Sequence, residues 1–547
     1  MQRKRRKTKN LVIVFALIIA CLYVGYSLIT SNLQVRTSLD VAKTSFDVHF
    51  ENLTISKKST ISTLPTLSND KTEISFSITL NSPGDSYIIN TDIYNAGTID
   101  AAIGALTIEG IDANASNYVK AELVYTIDNK ALAVDDVIKA GENEEIECRI
   151  VYDYDSEKTD SILLSEALNL NITLNIEYVK PDKTRLDNNE YSIRPFNAYN
   201  YLLSNSVLDN EKSKYVSSNN GVDFSSPSSD TNGKGIYTLS STANDTFPIN
   251  YYRGEVYDNF VIFNNYCWKM VRTTETGGIK LILSNIPSDG HCVTSGLPGF
   301  NGEYNYDEYD NAFVGYKYGT AESSSYEATH ANTNESNILY YVRNFFEEGN
   351  KNLRFYSENE NYANNNYKSL FNTDLLEENT FCNDRSIASD ITEIDSTPMN
   401  NLGYGNNNTV YSGYKRLTQT FNPSLTCTNN NDRFTNYYGL LTLDEAMLGG
   451  LTGNEGSIYN YLYFGNGSYF LMTPTYFKDN ISYTSCIKIN STTISAKVDS
   501  CNTGGSLTIR PVITLNNDAK FYKGDGTPYN PYVVYNSAIY QEYHQQM

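Results

Sequence analysis

A long apolar segment lies near the start of the chain, and the hydrophobic pattern changes twice after that segment ends. Residues 11–30 are uncharged and mostly apolar, and they follow a block of six basic side chains within residues 3–9. Twenty helical residues rise about 30 Å, which matches the hydrocarbon core of a bilayer. Because basic flanks stay on the cytoplasmic side, we expect a single-pass membrane helix with residues 31–547 outside the cell.

The same segment also has features of a cleaved leader. Residues 18–21 fit a loose lipobox that ends at Cys21, and residues 25–27 form a small-x-small triplet that a signal peptidase could cut. A cleavable apolar region usually spans about 7 to 15 residues, whereas this one continues for two turns past Cys21. We therefore favour an uncleaved anchor, with cleavage near Ser27 and lipidation of Cys21 as alternatives.

From about residue 45 to residue 179, apolar and polar side chains alternate, as they do in half-buried strands. The clearest such run consists of Leu168, Leu170, Ile172, Leu174, Ile176 and Tyr178. Turn-forming residues at positions 83–85 and 95–97 interrupt the pattern. Short strands with turns between them predict an all-β antiparallel sandwich over residues 31–180. Cys148 shares the phase of its apolar neighbours, so we expect it to be a buried core thiol.

The pattern changes again after Pro181. Residues 181–234 are polar and predict a linker with a short helix near residues 198–207. The remainder, residues 235–547, mixes both periods and predicts an α+β domain in a multidomain chain. The predicted strands are residues 260–263, 268–272, 279–283, 469–472 and 510–515, and the first helix is residues 336–348. A second helix starts at Thr442, which forms a capping box with Glu445, and ends at Gly449.

The eight cysteines divide sharply along the chain. Cys21 lies in the apolar segment and Cys148 in the predicted sandwich. The other six lie in the C-terminal half and are Cys267, Cys292, Cys382, Cys427, Cys486 and Cys501. In an oxidising exterior, an even set favours up to three disulfides, and we predict pairs between neighbours in sequence. The last pair is the strongest prediction, because both of its cysteines would meet at the open end of a hairpin.

Net charge excludes some classes of partner. The whole chain carries −21, and because its first thirty residues hold six basic and no acidic side chains, the rest carries −27. Such an acidic ectodomain argues against nucleic acid or anionic lipid head groups as partners. The chain also holds 46 tyrosines, one tryptophan and several asparagine runs. Codon usage in an AT-rich genome and an aromatic, amide-rich surface for sugars or proteins are both consistent with this bias.

Two parts of the chain resemble known families. Residues 82–85 and 95–98, which flank an alternating strand, resemble the secreted camelysin-like and biofilm-fibre proteins of low-GC Gram-positive bacteria. This resemblance implies an extracellular Ig-like or jelly-roll module for display or assembly. Four segments of the C-terminal half together resemble uncharacterised surface proteins of gut Firmicutes; they are residues 266–272, 381–386, 440–448 and 509–513. Their layout is similar to C-type-lectin-like and sulfatase-modifying-factor-like domains, which implies a lectin-like fold with Trp268 and Arg510 in the core.

Candidate catalytic groups are few. Cys382 lies close to Asp384 and Arg385, and charged neighbours can activate a thiol, but the even cysteine count favours a disulfide. His291 and Cys292 are adjacent, so in a strand their side chains point to opposite faces and cannot form a dyad. No G-x-S-x-G, H-E-x-x-H or P-loop motif is present.

Charged residues of the C-terminal half have structural interpretations. Arg510, in an apolar strand, is expected to form a structural ion pair with Asp384 or Glu445 rather than to clamp a substrate. Four acids could in principle bind calcium; they are Asp307, Glu308, Asp310 and Asp525. They lack the spacing of an EF-hand loop, and Asp525 is expected to form a simple turn, so we predict no cofactor and no metal.

The sequence therefore predicts a membrane-anchored bacterial cell-surface protein. A sandwich stalk would carry a disulfide-linked, lectin-like head that binds an extracellular glycan or protein, and the chain would not be an enzyme. Two alternatives stay open. One is a cell-envelope enzyme that uses acidic residues around Asp384 and Asp444, and the other is a matrix protein that forms fibres through its sandwich edges.

Overall fold

Alternating side chains build two facing sheets from the first third of the chain. The computed structural model describes residues 45–57, 63–82, 84–112, 115–152, 167–187, 191–200, 202, 213–216, 222–229, 233, 235–239, 247–293, 300–320, 324–347, 373–427, 429, 432–465 and 467–535. The strands of the two sheets are β1 (Val48–Lys57), β2 (Thr66–Leu67), β3 (Glu73–Leu80), β4 (Ser86–Asn95), β5 (Ala101–Glu109), β6 (Val119–Tyr125), β7 (Asp136–Ile138), β8 (Asn143–Tyr152), β9 (Leu168–Val179) and β10 (Ser192–Ile193). One sheet has the order β1-β4-β8-β6 and the other β10-β7-β5-β9-β3-β2.

The core of this sandwich lies between the two sheets. Ile93 and Ile146 from one sheet and Ile78 and Leu174 from the other are fully buried in a single cluster. Each such side chain contributes roughly 1.5–3 kcal/mol by leaving water. Cys148 is buried among them with a free thiol, so the predicted core role is confirmed.

The C-terminal half is also dominated by strands. They are β11 (Phe196–Asn197), β12 (Ser213–Val216), β13 (Gly235–Leu239), β14 (Ile249–Arg253), β15 (Phe260–Phe263), β16 (Tyr266–Thr273), β17 (Ile279–Asn285), β18 (Phe300–Glu303), β19 (Lys317–Tyr318), β20 (Asn334–Glu335), β21 (Asn379–Cys382), β22 (Glu393–Ile394), β23 (Thr397–Pro398), β24 (Thr409–Val410), β25 (Arg433–Asn436), β26 (Tyr438–Gly439), β27 (Ser457–Ile458), β28 (Tyr469–Lys478), β29 (Ile481–Asn490), β30 (Ser495–Asn502), β31 (Ser506–Ile509), β32 (Val512–Leu515), β33 (Lys520–Lys523) and β34 (Tyr532–Val534). The described part of the chain is therefore mostly β-sheet.

Two large sheets organise this half. The larger has the order β11-β33-β34-β15-β16-β14-β13-β12, with β17 joining β16 to β32 and β26 pairing with β32. The smaller has the order β18-β31-β28-β29-β30-β27, with β24 on β28. Both contribute to one apolar core around Trp268, whose ring nitrogen donates to the Phe263 carbonyl at 3.0 Å. Trp268 is fully buried in this core.

Helices are short. They are α1 (Lys183–Asp187), α2 (Tyr326–Thr329), α3 (Asn337–Glu347), α4 (Ser412–Lys415) and α5 (Leu443–Leu448), with 3-10 turns at Ala115–Asn117, Asn311–Val314 and Thr373–Leu375 and a π-turn at Arg416–Thr420. The predicted capping box of α5 is present, because Thr442 accepts from the Glu445 amide and Glu445 accepts from the Thr442 amide. Gly450, with a φ of 98°, follows the helix, as a left-handed position that favours glycine.

All three disulfides join the predicted neighbours: Cys267 with Cys292, Cys382 with Cys427, and Cys486 with Cys501. The last pair bridges β29 and β30 diagonally, since Cys486 faces Asp499 and Cys501 faces Thr484 in the strand register. The hairpin prediction is therefore confirmed. In the chain-entropy account, crosslinks of this length contribute about 3 kcal/mol each by restricting the unfolded chain.

The chain passes directly from the sandwich to the larger sheet. Strand β10 pairs with β7 of the sandwich, and β11, three residues later, pairs with β33. Between them, Arg194 is buried, pairs with Asp128 at 3.0 Å and lies over the Tyr125 ring at 3.5 Å. Within the described ranges, no helix is long and apolar enough to cross a membrane. The predicted membrane segment, residues 11–30, lies outside those ranges.

Candidate functional site

Glu445 is the centre of a buried charged cluster in the C-terminal half. Its position in the first turn of α5 brings its carboxylate to the larger sheet, where Arg272 projects from β16 and Lys280 from β17. One carboxylate oxygen accepts from Arg272 Nε at 2.8 Å and from Lys280 Nζ at 2.5 Å. Burial would raise the pKa of Glu445, but Lys280 and Arg272 outweigh it and lower that pKa to about 2. The carboxylate is therefore a fixed anion that ties the helix to the sheet.

A second ion network lies beside the first. Arg416 makes a bidentate pair with Asp444, at 2.6 Å and 2.8 Å, and also reaches Asp384 at 2.8 Å. The Ser424 amide donates to Asp444 at 2.9 Å. Burial raises the pKa of Asp444 against the opposing effect of Arg416. The two acids named in the enzyme alternative are thus brought together, but both are engaged by one guanidinium.

These two networks surround a small cavity. Its walls include three cations, three carboxylates, the Cys382 end of a disulfide and several hydroxyls; the charged members are Arg272, Lys280, Arg416, Asp384, Asp444 and Glu445. The enclosed volume is about 30 Å³, which is room for a water molecule and little more. The charges balance, and every carboxylate has a cationic partner. This arrangement stabilises the junction of α5, β16 and β21, and it holds no free carboxylate positioned for acid or base chemistry.

The predicted ion pair of Arg510 is wrong. It pairs with neither Asp384 nor Glu445; its Nη1 instead donates to the Leu283 and Ser284 carbonyls, each at 3.0 Å. Arg510 lies where the chain crosses from β31 of the smaller sheet to β32 of the larger one. The crossing turns its side chain toward the end of β17 rather than toward α5, so the two acids pair with cations that are nearer. Arg510 is therefore buried without a carboxylate.

Arg385 has a different structural role. It is fully buried and donates to the Thr329 carbonyl at 2.9 Å, the His330 carbonyl at 2.8 Å and the Asn332 side chain at 2.5 Å. Its Nε lies 3.5 Å from Asp432. Two contacts to backbone carbonyls and one to a side chain fix the position of residues 329–332. Arg385 thereby positions a groove that sequence patterns did not indicate.

That groove has the dimensions of a ligand site. It is lined by Tyr326, Glu327, His330, Ala331 and Asn429 and has a volume of about 470 Å³. Small-molecule sites usually occupy about 300–1,000 Å³. The Tyr326 and His330 rings stack in parallel, with centroids 4.0 Å apart and planes inclined by 21°. An aromatic ring beside amide and carboxylate groups is an arrangement that can bind a polar ligand with one apolar face.

Local sequence explains how the groove forms. Ser325 caps the short helix α2 by accepting from the Ala328 amide, and this places Tyr326 and His330 one turn apart. The His330 Nδ1 lies 3.0 Å from the Tyr326 carbonyl oxygen and 3.0 Å from Thr329 Oγ1. Residues four apart on a helix share one face, so the ring stack follows from their spacing. The only sequence signal was the rarity of histidine, which occurs four times in the chain.

The acids considered for calcium serve the backbone instead. Asp310 accepts from the Ala312 amide at 2.8 Å, and Asp525 accepts from the Thr527 amide at 2.9 Å. The turn predicted at Asp525 is therefore confirmed. Glu308 accepts from the Gly504 amide at 3.1 Å. Among the residues that the structure describes, no group of three or more histidine, cysteine, aspartate or glutamate side chains is placed to hold a metal ion.

Cys292 and His291 do not form a dyad. Cys292 is joined to Cys267, and the His291 ring contacts the Tyr529 carbonyl at the surface. Likewise, the disulfide between Cys382 and Cys427 removes the thiol that Asp384 could have activated. Comparison of the chain with protein-family models, with curated proteins and with solved structures finds no significant match.

Proposed function

We propose that this protein is a membrane-anchored bacterial cell-surface protein whose C-terminal half binds an extracellular polymer or protein. In this proposal, residues 11–30 hold the chain in the membrane with the N-terminus in the cytoplasm. Residues 31–180 serve as an Ig-like stalk, and residues 235–547 form a C-type-lectin-like head that acts in adhesion. The groove at Tyr326 and His330 is the binding site.

The observation that carries this proposal is the groove itself. It has the volume of a ligand site, and its two rings stack on one helical turn, where His330 Nδ1 also contacts the Tyr326 carbonyl. Arg385 fixes the backbone below it, so the site is pre-organised, which limits the entropy lost on binding. By contrast, the charged cavity at Asp384 and Asp444 is water-sized and internally neutralised. A binding head therefore explains the geometry with fewer assumptions than an acid-base enzyme.

The three disulfides support an extracellular location, because such bonds persist in oxidising compartments. The acidic net charge supports solubility outside the cell and argues against nucleic acid as the partner. Neither observation names the ligand.

The test is an array of glycans, cell-wall polymers and extracellular matrix proteins, probed with the detergent-solubilised full-length chain. We expect binding to at least one class of ligand and loss of most of that signal in Tyr326→Ala. Thermal unfolding of the variant would verify that it remains folded. Silence across the array, or binding that Tyr326→Ala leaves unchanged, would contradict the proposal.

A further inference from the structure

The hydrogen bonds of His330 define which of its ring nitrogens carries a proton. Nδ1 lies 3.0 Å from the Tyr326 carbonyl oxygen, and a carbonyl oxygen can only accept. The neighbouring Thr329 hydroxyl, 3.0 Å from Nδ1, has carbonyl acceptors of its own at Ser325, Tyr326 and Gly403. We therefore assign the proton to Nδ1, which leaves Nε2 of the neutral ring with a free lone pair. Burial and, after it, the Arg385 charge lower the pKa of His330 to about 3. The imidazole is consequently neutral at any physiological pH, and Nε2 is an acceptor only.

That acceptor is unsatisfied in the structure. His330 is 5% exposed, and its Nε2 has no hydrogen-bond partner among the described residues. Leaving a buried polar atom unpaired destabilises the folded protein. His330 also lines a groove large enough for a ligand. A ligand that donates a hydrogen bond to Nε2 would recover this cost, whereas a ligand that only accepts would not.

The charges around the groove also favour a ligand that donates hydrogen bonds. Glu327, on the exposed side of the groove, adds a carboxylate, and none of the five lining residues is a lysine or an arginine. The guanidinium of Arg385 is engaged by the Thr329 and His330 carbonyls and the Asn332 side chain. An anionic group in the groove would meet Glu327 without a cation to balance it. The groove therefore disfavours an anionic ligand and favours one that is rich in donors.

We infer that the groove takes an uncharged saccharide, one hydroxyl of which donates to His330 Nε2 while the sugar ring packs against Tyr326. A sugar offers several hydroxyl donors together with an apolar face of C–H groups, which matches both features of the site. This inference rests on the proposed binding function and narrows it to one chemical class. A protein ligand or a charged glycan is the outcome that would replace it.

The test compares two substitutions at one position. His330→Phe keeps an aromatic ring but removes the acceptor, and His330→Gln keeps an acceptor without the ring. Binding of the full-length chain in detergent would be measured against the neutral, acidic and amino-sugar glycans of one array, with dextran, polygalacturonate and chitosan oligosaccharide as soluble competitors. We expect a neutral glycan to bind, with a loss of about tenfold or more in His330→Phe and at most about threefold in His330→Gln.

The outcomes separate the two claims. The saccharide inference is wrong, and the binding site stands, if Tyr326→Ala abolishes binding but the preferred ligand is an acidic glycan, an amino-sugar glycan or a protein. The same conclusion follows if His330→Phe binds like the wild type. If Tyr326→Ala has no effect, or if nothing on the array binds, both claims are wrong. Unfolding temperatures of the two His330 variants, measured in parallel, would verify that both remain folded.

Discussion

Replacing Lys269 by methionine should remove a buried charge that the fold barely accommodates. Lys269 extends from β16, and its Nζ donates to the Tyr461 carbonyl at 2.7 Å. The rings of Phe260 and Phe464 lie 4.9 Å and 4.6 Å from the ammonium group. Its ionic neighbour is a second cation, Arg510. Burial and, to a smaller extent, Arg510 lower the pKa of Lys269 from its ordinary value of 10.5 to about 7.

The magnitude follows from this pKa. One pH unit of difference between the folded and unfolded pKa corresponds to about 1.4 kcal/mol, so charging Lys269 in the folded state costs about 5 kcal/mol at pH 6. At pH 8 the folded lysine is mainly neutral while the unfolded one is still charged, and the cost falls to about 3 kcal/mol. Because the folded pKa is depressed, the wild type gains stability as the pH rises from 6 to 8. Lys269→Met lacks this component of the pH dependence.

The assay is urea unfolding of the wild type and Lys269→Met at pH 6 and at pH 8. The difference in unfolding free energy between the two proteins should change by roughly 1–2 kcal/mol between these pH values. The variant should exceed the wild type in stability by the larger amount at pH 6. Lys488→Met, at a half-exposed lysine on β29, is the control and should show no such change. A difference for Lys269→Met that is the same at both pH values would refute the reasoning.

Three further predictions concern single positions away from the groove. Burial raises the pKa of Glu144 to about 7, so its contribution to stability should fall by about 3 kcal/mol between pH 4.5 and 7.5. In urea unfolding, the stability difference between the wild type and Glu144→Gln should change by that amount over this range, and a difference that stays constant would contradict the assignment. Ile494 has a φ of 51°, which strains a β-branched residue, so Ile494→Gly should stabilise the protein by about 1 kcal/mol, whereas Ser491→Gly in the same turn should not. Burial raises the pKa of the Cys148 thiol to about 12, so iodoacetamide at pH 8 should label it only after unfolding, as peptide mapping would show; rapid labelling of the native protein would count against a core position.

Local features of this chain could be predicted from its sequence because neighbouring residues determine them. The hairpin that carries Cys486 and Cys501 followed from two short alternating runs and one turn. The capping box of α5 followed from the spacing of Thr442 and Glu445. In each case the interacting groups lie within about twenty residues of one another.

Features that depend on the path of the chain through both sheets could not be predicted. Arg510 was assigned to a continuous strand, whereas it lies at the crossing between two sheets, and this crossing decides which groups it can reach. The groove combines the α2 segment with Asn429, about a hundred residues away, and no periodic pattern links such positions. Arg385 is notable in the sequence only as a charged neighbour of Cys382, and its function of holding residues 329–332 is evident only from its contacts.

The affinity of the groove for its ligand tests the central claim most directly. The strongest ligand from the array would be titrated into the wild type, Tyr326→Ala and Tyr529→Ala by isothermal calorimetry. Tyr529 is a matched control, because it is 70% exposed and does not line the groove. We predict that Tyr326→Ala raises Kd by about tenfold or more and that Tyr529→Ala leaves it within about twofold. Equal losses in the two variants, or no loss in Tyr326→Ala, would contradict a binding site at Tyr326 and His330.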